Sequence, residues 1–458
     1  MSAVQTDITN EHWLDYLEKR RIIETEDEQL KRKHVIELLQ RILVNFQAEV
    51  AKELDWKRGD IECLLSPFGS YGLGGYIRDA DIDLVLVCPF QVQRKLFFRF
   101  FPKKLKQQTL VSNIESIHKA NVPIIKCTID NISIDISFVR LKLERITPTI
   151  DFLDDSLLQD IDITCLASMD GPRVNQYCKK QIHRVHARLF QTSLQCIKYW
   201  ASQRGIYKKP LGYLNGSSWT LLLIKTYLSI DNKEDLTITK ILYEFFNMWS
   251  QWPWQTPVML ANYVPGINGT RVDYNSLADF ENAVMPIVSP CYPVCNVAPY
   301  VTKSTRKIMQ LEFERGRALL GSRAEPFAVI GKLFNSLNYL QRYKHFITII
   351  TSSTVINSHD IWTRKMATYI PRYLELLELD SDILYAQPLM NPYQLTINYQ
   401  TVEEKAAMMD GALQHEAREH NHSGMLSPGI LYLTYYTIGI KTDDSSKEIE
   451  KTKMSAGQ

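Results

Sequence analysis

The spacing of apolar residues in the first part of the chain predicts one long helix followed by short strands. In residues 26–53, apolar side chains recur at helical spacing with charges between them, which predicts an amphipathic helix. Short apolar runs typical of strands follow at residues 61–69, 81–88, 122–130 and 132–141. A helix-like pattern covers residues 111–120. Together these elements predict a mixed α/β unit.

The rest of the chain divides into a helical part and a second mixed part. Between about 180 and 330 the pattern is mostly helical, and one helix can end at Gly205 after an apolar face formed by Phe190, Leu194, Ile197 and Ala201. Strand-like runs at residues 345–351, 393–399 and 430–441 surround a helix-like run at 360–379. Polar residues 442–458 predict a disordered tail.

Composition excludes several classes of protein and leaves others open. With 458 residues, 45% of them hydrophobic and 23% charged, the chain has the composition of a globular protein of two or three domains. The net charge of +2 means that any nucleic-acid binding depends on local basic patches. We expect no membrane span, because the longest apolar run is too short. Eight scattered cysteines predict reduced thiols in the cytosol or nucleus.

The candidate chemistry lies in residues 68–88, where a Gly-Ser turn precedes a predicted strand that carries Asp81 and Asp83. Residues two apart in a strand point to one face, so these carboxylates project together. Adjacent carboxylates repel unless a cation occupies the space between them. An Asp-x-Asp pair alone is common in solvated turns, so further acidic residues decide its meaning.

A third carboxylate, Asp135, lies in the run ISIDISF, whose isoleucines form the apolar face. Asp135 therefore falls on the polar face with Ser133 and Ser137. Asp130-Asn131 predicts the turn of a hairpin that joins this strand to the preceding one. Three carboxylates can then meet on one sheet surface.

Hard oxygen ligands of this number suit Mg²⁺, with Mn²⁺ as a substitute. Two such ions, roughly 3.5–4 Å apart, can stabilise the attacking and leaving oxygens of a phosphoryl displacement. Backbone N–H groups of the turn FGSYGLGG and the Ser70 hydroxyl can hold a triphosphate. The combination of Gly-Ser, Asp-x-Asp and a later strand Asp resembles the nucleotidyltransferase superfamily that includes DNA polymerase β.

Over about residues 20–350 the chain further resembles eukaryotic-type poly(A) polymerases. The segments that carry the resemblance are FGSYGLG with ADIDLVLV, SLQCIKYWASQRGIY, SQWPWQTPVML, MPIVSPCYPVCN and LQRYKHFITII. The resemblance implies a nucleotidyltransferase domain, a helical central domain and an RRM-like RNA-binding domain, an α+β multidomain fold. The expected bounds are an N-terminal helical region at 1–55 and then domains at 56–160, 161–335 and 336–441, with the tail at 442–458.

The resemblance also implies roles for individual residues. Asp81, Asp83 and Asp135 would be the catalytic metal ligands. The nucleotide would be bound by Phe68, Gly69, Ser70, Lys198, Tyr207, Gly216 and Ser217. From sequence alone, Lys198 would be a solvated charge and Tyr207 an ordinary aromatic.

The sequence departs from the family pattern at several of these places. Asn215-Gly216-Ser217 stands where Gly-Gly-Val is usual, which replaces an apolar contact to the base with a hydroxyl. Lys209 replaces the usual Asn two residues after the tyrosine, and Gly72 replaces a residue that is usually basic. Asp170-Gly171 stands for an Asn-Gly pair. These changes bear on the selection of adenine and on RNA or phosphate contacts.

Three functions follow from these observations. The first is a template-independent adenylyltransferase in mRNA polyadenylation, with ATP and an RNA 3′ end as substrates and cleavage and polyadenylation factors as candidate partners. The second is a terminal uridylyltransferase with the same fold and metals. The third is an RNA-binding subunit without catalysis, against which the complete acidic set argues. Resemblance implies a nuclear monomer, with the cytoplasm as the alternative location.

Overall fold

The computed structural model describes residues 8–57, 59, 61–261, 263–266, 270–420 and 424–443. The chain forms two compact units that each draw on several segments. The first comprises Met1–Gln203, Leu214–Pro299 and Phe313–Asn335, and the second comprises Arg204–Tyr213, Tyr300–Glu312 and Ser336–Gln458. The predicted tail lies, from residue 444 onward, outside the described residues.

The first unit begins with two helices, α1 (Asn10–Lys19) and α2 (Glu26–Glu53). Thr25 caps the N-terminus of α2, and the Glu28 side chain accepts from the Thr25 backbone N–H in return, so the helix begins where the sequence predicts. The apolar stripe of α2 is buried, with Leu39, Phe46 and Val50 inaccessible to solvent. The predicted helix over residues 26–53 is confirmed.

The N-terminal sheet of the described residues has five strands in the order β1-β2-β5-β4-β3. Strands β2 and β5 are parallel, and the other neighbouring strands are antiparallel. Helix α4 packs against α2 and against β3 and β5. The bounds are β1 (Leu64–Pro67), α3 (Gly69–Leu73), β2 (Ile82–Cys88), α4 (Arg94–Lys106), β3 (Val111–Ile117), β4 (Ile124–Ile129) and β5 (Ile132–Arg140).

The helix predicted over residues 111–120 is wrong, because Val111–Ile117 forms the edge strand β3. Its pairing with β4 shifts register between Ser112 and Glu115, and Asn113 there has a φ of 51°. This bulge places Val111 and Ile114 against the core although they are three residues apart. A three-residue apolar spacing therefore imitates helical periodicity.

The remainder of the first unit is mainly helical, as predicted. Trp200, Trp219, Phe245 and Phe246 pack together there in three edge-to-face contacts and one tilted contact. The elements are α5 (Ile163–Gln181), α6 (Ala187–Gln203), α7 (Gly216–Ser229), α8 (Ile238–Gln251), β6 (Val264–Pro265), β7 (Arg271–Val272), α9 (Ala278–Glu281), α10 (Lys303–Leu320) and α11 (Pro326–Phe334), and α10 up to Glu312 belongs to the second unit.

The second unit contains the small α/β domain that the sequence predicts. In the described residues the long strand β11 is central, with β8 on one edge and β10 and β9 on the other. Helix α13 packs on β8, β9 and β11, while α14 packs on β10 and β11. The bounds are α12 (Tyr339–Arg342), β8 (His345–Ser353), α13 (Ile356–Leu377), β9 (Ile383–Pro388), β10 (Tyr393–Thr401), α14 (Val402–Met409), α15 (Gln414–His420) and β11 (Leu426–Thr442).

Two further predictions concern the state of the cysteines and the presence of membrane-spanning helices. The eight cysteines are free thiols, six of them buried. Across the described segments, every helix is too short or too polar to span a lipid bilayer.

Candidate active site

Three carboxylates meet at one end of strands β2 and β5. Asp83 and Asp135 are directly opposite each other in the parallel pairing of these strands, and Asp81 lies one residue before β2 begins. One ligand atom from each of the three lies within 4.8 Å of the other two. Asp81 is exposed and the other two are partly buried. The convergence predicted from sequence is confirmed, although the strand starts at Ile82 and not at Asp81.

The carboxylates make this site strongly electronegative. Burial, together with the negative charges of Asp81 and Asp135, raises the pKa of Asp83 from 3.8 to about 7. Lys198 and Lys126 act in the opposite direction. A cluster of hard oxygen donors whose ionised forms repel one another is the kind of site that a divalent cation such as Mg²⁺ stabilises. The residues present therefore fit a metal site.

Lys126, which sequence reasoning missed, is the direct partner of Asp135. Its Nζ lies 2.7 Å from Asp135 Oδ2, and the two residues are cross-strand neighbours on β4 and β5. The predicted turn at Asp130-Asn131 is confirmed, since both residues have positive φ between the two strands. The two-residue turn fixes the register of the hairpin, and this register places Lys126 directly opposite Asp135.

The turn before β2 touches the carboxylates. The Phe68 backbone N–H donates to the backbone carbonyl of Asp83 at 3.0 Å, and Gly69 has a φ of 62°. A Cβ on Gly69 would lie 2.4 Å from Asp83 Oδ2, so only glycine fits. The next residue, Ser70, lies in the first turn of α3, a helix of five residues. Gly171, which follows the departure at Asp170, allows α5 to approach the Phe68 ring, which a Cβ there would meet at 2.5 Å.

Lys198 is a buried cation, not the solvated charge that its sequence context alone suggests. It projects from α6, and its side chain is 6% exposed. Burial lowers the pKa of Lys198 against the opposing effect of the Asp83 and Asp81 carboxylates, and the resulting pKa is about 8. Burying an ammonium group is unfavourable unless negative charge lies nearby, and here the triad provides it.

Gly216 and Ser217 begin helix α7, which packs against α3 and α5. Asn215 caps this helix by accepting from the Ser218 N–H at 3.0 Å, and the Ser217 hydroxyl donates to the same Asn215 Oδ1 at 2.9 Å. The other two positions in question, Tyr207 and Lys209, belong to the second unit. There the Lys209 ammonium lies 5.8 Å from the centroid of the Tyr300 ring.

A carboxylate triad on a mixed sheet, with a glycine turn against it and a helical region after it, defines a nucleotidyltransferase of the DNA polymerase β type. In fold the chain is similar to the MgGTP-bound crystal structure of the Cid1 poly(U) polymerase, with a TM-score of 0.50 and 16% identity over 71% of this chain and 98% of that one.

Comparison with protein families shows which family of nucleotidyltransferases the chain resembles. It matches the poly(A) polymerase nucleotidyltransferase domain at residues 5–182, the central domain at 189–336 and the predicted RNA-binding domain at 338–456. It is 28% identical to poly(A) polymerase PAPa of Candida albicans, over 96% of this chain and 82% of that protein. It is 27% identical to poly(A) polymerase pla1 of Schizosaccharomyces pombe, over 92% and 74%. The chain belongs to the poly(A) polymerase family.

Proposed function

We propose that this protein is a template-independent polynucleotide adenylyltransferase that transfers AMP from ATP to an RNA 3′-OH and releases pyrophosphate. The observation that carries the proposal is the convergence of Asp81, Asp83 and Asp135 within 4.8 Å in a poly(A) polymerase fold. An intact carboxylate set on a partly buried surface is costly without a cation, which favours catalysis over a purely RNA-binding role.

Asp81, Asp83 and Asp135 are the residues that would hold two Mg²⁺ ions, or Mn²⁺ in their place. Ions bound there would supply positive charge that stabilises the attacking RNA 3′ oxygen and the leaving pyrophosphate. Lys126 forms a 2.7 Å ion pair with Asp135, so an ion bound there would have to displace the ammonium from that carboxylate. The hydrogen bond from the Phe68 N–H to the backbone carbonyl of Asp83 holds the turn against strand β2.

The nucleotide contacts are proposed on the family resemblance, and those of the turn and of Lys198 also on their placement beside the triad. Phe68, Gly69 and Ser70 would line the triphosphate, because their turn lies against Asp83. Lys198 would support the charge that develops on pyrophosphate, since its ammonium lies near the triad. Tyr207 would contact a phosphate, and Gly216 with Ser217 would flank the base.

The wider properties of the enzyme are proposed on the resemblance alone. The RNA 3′ end would be the second substrate, supported by the match to a predicted RNA-binding domain. We propose a monomer in the nucleus that acts with cleavage and polyadenylation factors, in three domains at the bounds predicted from sequence. Cell fractionation and light scattering test location and oligomeric state.

The decisive experiment is an incorporation assay with purified protein, an unstructured RNA primer, Mg²⁺ and each nucleotide separately. We expect a ladder of extended products with ATP and release of pyrophosphate in equal amount. No extension with any nucleotide would contradict the proposal. The fold similarity to the Cid1 poly(U) polymerase supports one second candidate, a uridylyltransferase. More efficient extension with UTP than with ATP would support that alternative.

A further inference from the structure

The segment between Phe68 and Asp81 is held by side chains that bind its backbone carbonyl groups. Along it, carbonyls three to four residues apart each accept a hydrogen bond from a side chain of a surrounding helix. The four pairs, with their donor-to-acceptor distances, are Asn175 to Gly69 at 2.8 Å, Gln191 to Leu73 at 3.1 Å, Gln195 to Tyr76 at 2.8 Å and Arg32 to Ala80 at 2.7 Å.

Helix α6 supplies two of these donors, and both lie on the helix face that carries Lys198. Gln191, Gln195 and Lys198 are spaced four and three residues apart, so their side chains leave α6 in one direction. The two amides bind the turn, while the ammonium of Lys198 lies near Asp83 and Asp81. One rigid helix therefore contacts both the turn and the carboxylates.

The contact between α6 and the turn leaves no space for side chains. A Cβ on Gly74 would lie 2.5 Å from Gln191 Nε2, and one on Gly75 would lie 2.4 Å from Leu194 Cδ2. Gly74 also has a φ of 74°, which favours glycine. Two adjacent glycines thus bring the backbone close enough for the glutamine amides to reach its carbonyls.

We propose that Gln191 and Gln195 are positioning residues, which fix the nucleotide-binding turn relative to Lys198 and the carboxylate triad. The inference rests on the proposed function, because the turn is the segment assigned to the triphosphate. Each amide is partly exposed and makes one hydrogen bond of ordinary strength to the turn. Losing it changes global stability little but frees the turn to shift, and a shift of about 1 Å can lower the rate by about a hundredfold.

The test replaces each amide with a carboxylate of the same shape that cannot donate to a carbonyl. The variants are Gln191→Glu, Gln195→Glu and the double variant. Gln47→Glu is the matched control, because Gln47 Nε2 donates to Ile61 O at 3.1 Å in the same unit, away from the turn. Gln195→Lys restores a donor of similar reach. For each protein, kcat, KM for ATP, KM for primer and Tm are measured.

We expect the double variant to lose about ten- to a hundredfold in kcat/KM for ATP, with primer KM unchanged. Gln47→Glu should show a similar Tm and wild-type kinetic constants, and Gln195→Lys should recover most of the activity of the wild type. Double-variant kinetics within twofold of those of Gln47→Glu would overturn the proposal. So would a loss confined to Tm.

Failure of the proposed function has a different signature. If the wild type extends primer with UTP and not ATP, the same comparison of variants is made with UTP. If it extends no primer, calorimetric affinity for Mg²⁺-ATP replaces the kinetic readout. Weaker nucleotide binding by the double variant than by Gln47→Glu supports the positioning role, and equal binding overturns it.

Discussion

Asp83 and Asp135 stand directly opposite each other on the parallel strands β2 and β5, with Asp81 beside them. Like charges at neighbouring strand positions destabilise a sheet unless a cation lies between them. The strand pairing therefore brings together carboxylates that a bound cation would stabilise at the end of the sheet.

Asp83→Asn and Asp135→Asn should each abolish primer extension, with a fall of about a thousandfold or more in kcat, because each amide removes a charged metal ligand. Melting temperature should not fall in metal-free buffer. Burial opposes the ionisation of Asp83, and the Asp83→Asn substitution removes this carboxylate. The Tm of the Asp83→Asn variant should therefore equal or exceed that of the wild type.

Circular dichroism in EDTA gives the Tm, and gel-resolved extension gives the rate. Asp160→Asn is a suitable control, since Asp160 forms an exposed ion pair with Lys142 at 2.5 Å outside the triad. Normal extension by purified Asp135→Asn protein would remove that residue from the proposed site.

Lys126→Ala should bind Mn²⁺ more tightly than the wild type in the absence of nucleotide. The Lys126 ammonium already neutralises Asp135 at 2.7 Å, so a metal ion has to compete with it for the carboxylate. We expect several-fold tighter binding by isothermal titration. Lys142→Ala, which removes an exposed ion pair away from the triad, is the control. Weaker metal binding by Lys126→Ala would mean that the ammonium helps to organise the ligands.

Stability should depend on pH through Asp83. Its pKa is about 7 in the folded metal-free protein and 3.8 ordinarily, so between these values the folded state holds a proton that the unfolded state has lost. The contribution of Asp83 to stability therefore falls as pH rises from about 4 to 7. Because Mg²⁺ binds the ionised carboxylate, it should raise Tm more at pH 8 than at pH 6.

Thermal scans with Mg²⁺ and with EDTA at the two pH values measure this difference. Asp83→Asn should lose most of the pH-dependent part. A Tm increase from Mg²⁺ that is equal at pH 6 and pH 8 would contradict the assignment to Asp83.

Much of the fold was predictable because its signals are local. Helix α2 has a capping box and an unbroken apolar stripe, and the hairpin between β4 and β5 has an Asp-Asn turn. The triad was predictable because alternation places Asp83 and Asp135 on polar faces. Strand β3 was mistaken for a helix because its bulge lies between Ser112 and Glu115 and changes the apolar spacing.

The missed site residues depend on pairings between distant parts of the chain. Gln191 and Gln195 look like ordinary polar positions of an amphipathic helix, and only the fold brings them to carbonyls more than a hundred residues earlier in the chain. Burial of Lys198 is equally invisible in its local sequence. Lys126 is different, since the hairpin register could have placed it beside Asp135.

Lys198→Met should lower kcat/KM for ATP by about a hundredfold, through kcat, the KM for ATP or both. Its ammonium is buried near the triad, where a low dielectric strengthens its effect on the leaving pyrophosphate. Tm should change little, because methionine keeps the volume of the side chain and removes a buried charge. Lys240→Met, on helix α8, is the control. Unchanged ATP kinetics beside weaker primer binding would contradict this role.

The last prediction is a preference for ATP whose strictness depends on Ser217. Its hydroxyl donates to Asn215 Oδ1 at 2.9 Å, which leaves its oxygen to act as an acceptor beside the base. An acceptor there favours an amino group at the position of adenine N6 or cytosine N4, where guanine and uracil carry a carbonyl oxygen. We therefore expect kcat/KM to be highest for ATP, with CTP the best competitor and UTP a poor substrate.

Ser217→Val removes the acceptor and adds an apolar contact, so discrimination of ATP from CTP should rise by about tenfold. Ser229→Val, at the other end of α7, should leave selectivity unchanged, because the Ser229 hydroxyl donates only to the Lys225 carbonyl of its own helix. Steady-state kinetics with all four nucleotides on one unstructured primer in Mg²⁺ measure the effect. If the wild type uses UTP as well as ATP, Ser217 does not select the base in this way and the adenylyltransferase assignment fails, while the carboxylate chemistry remains.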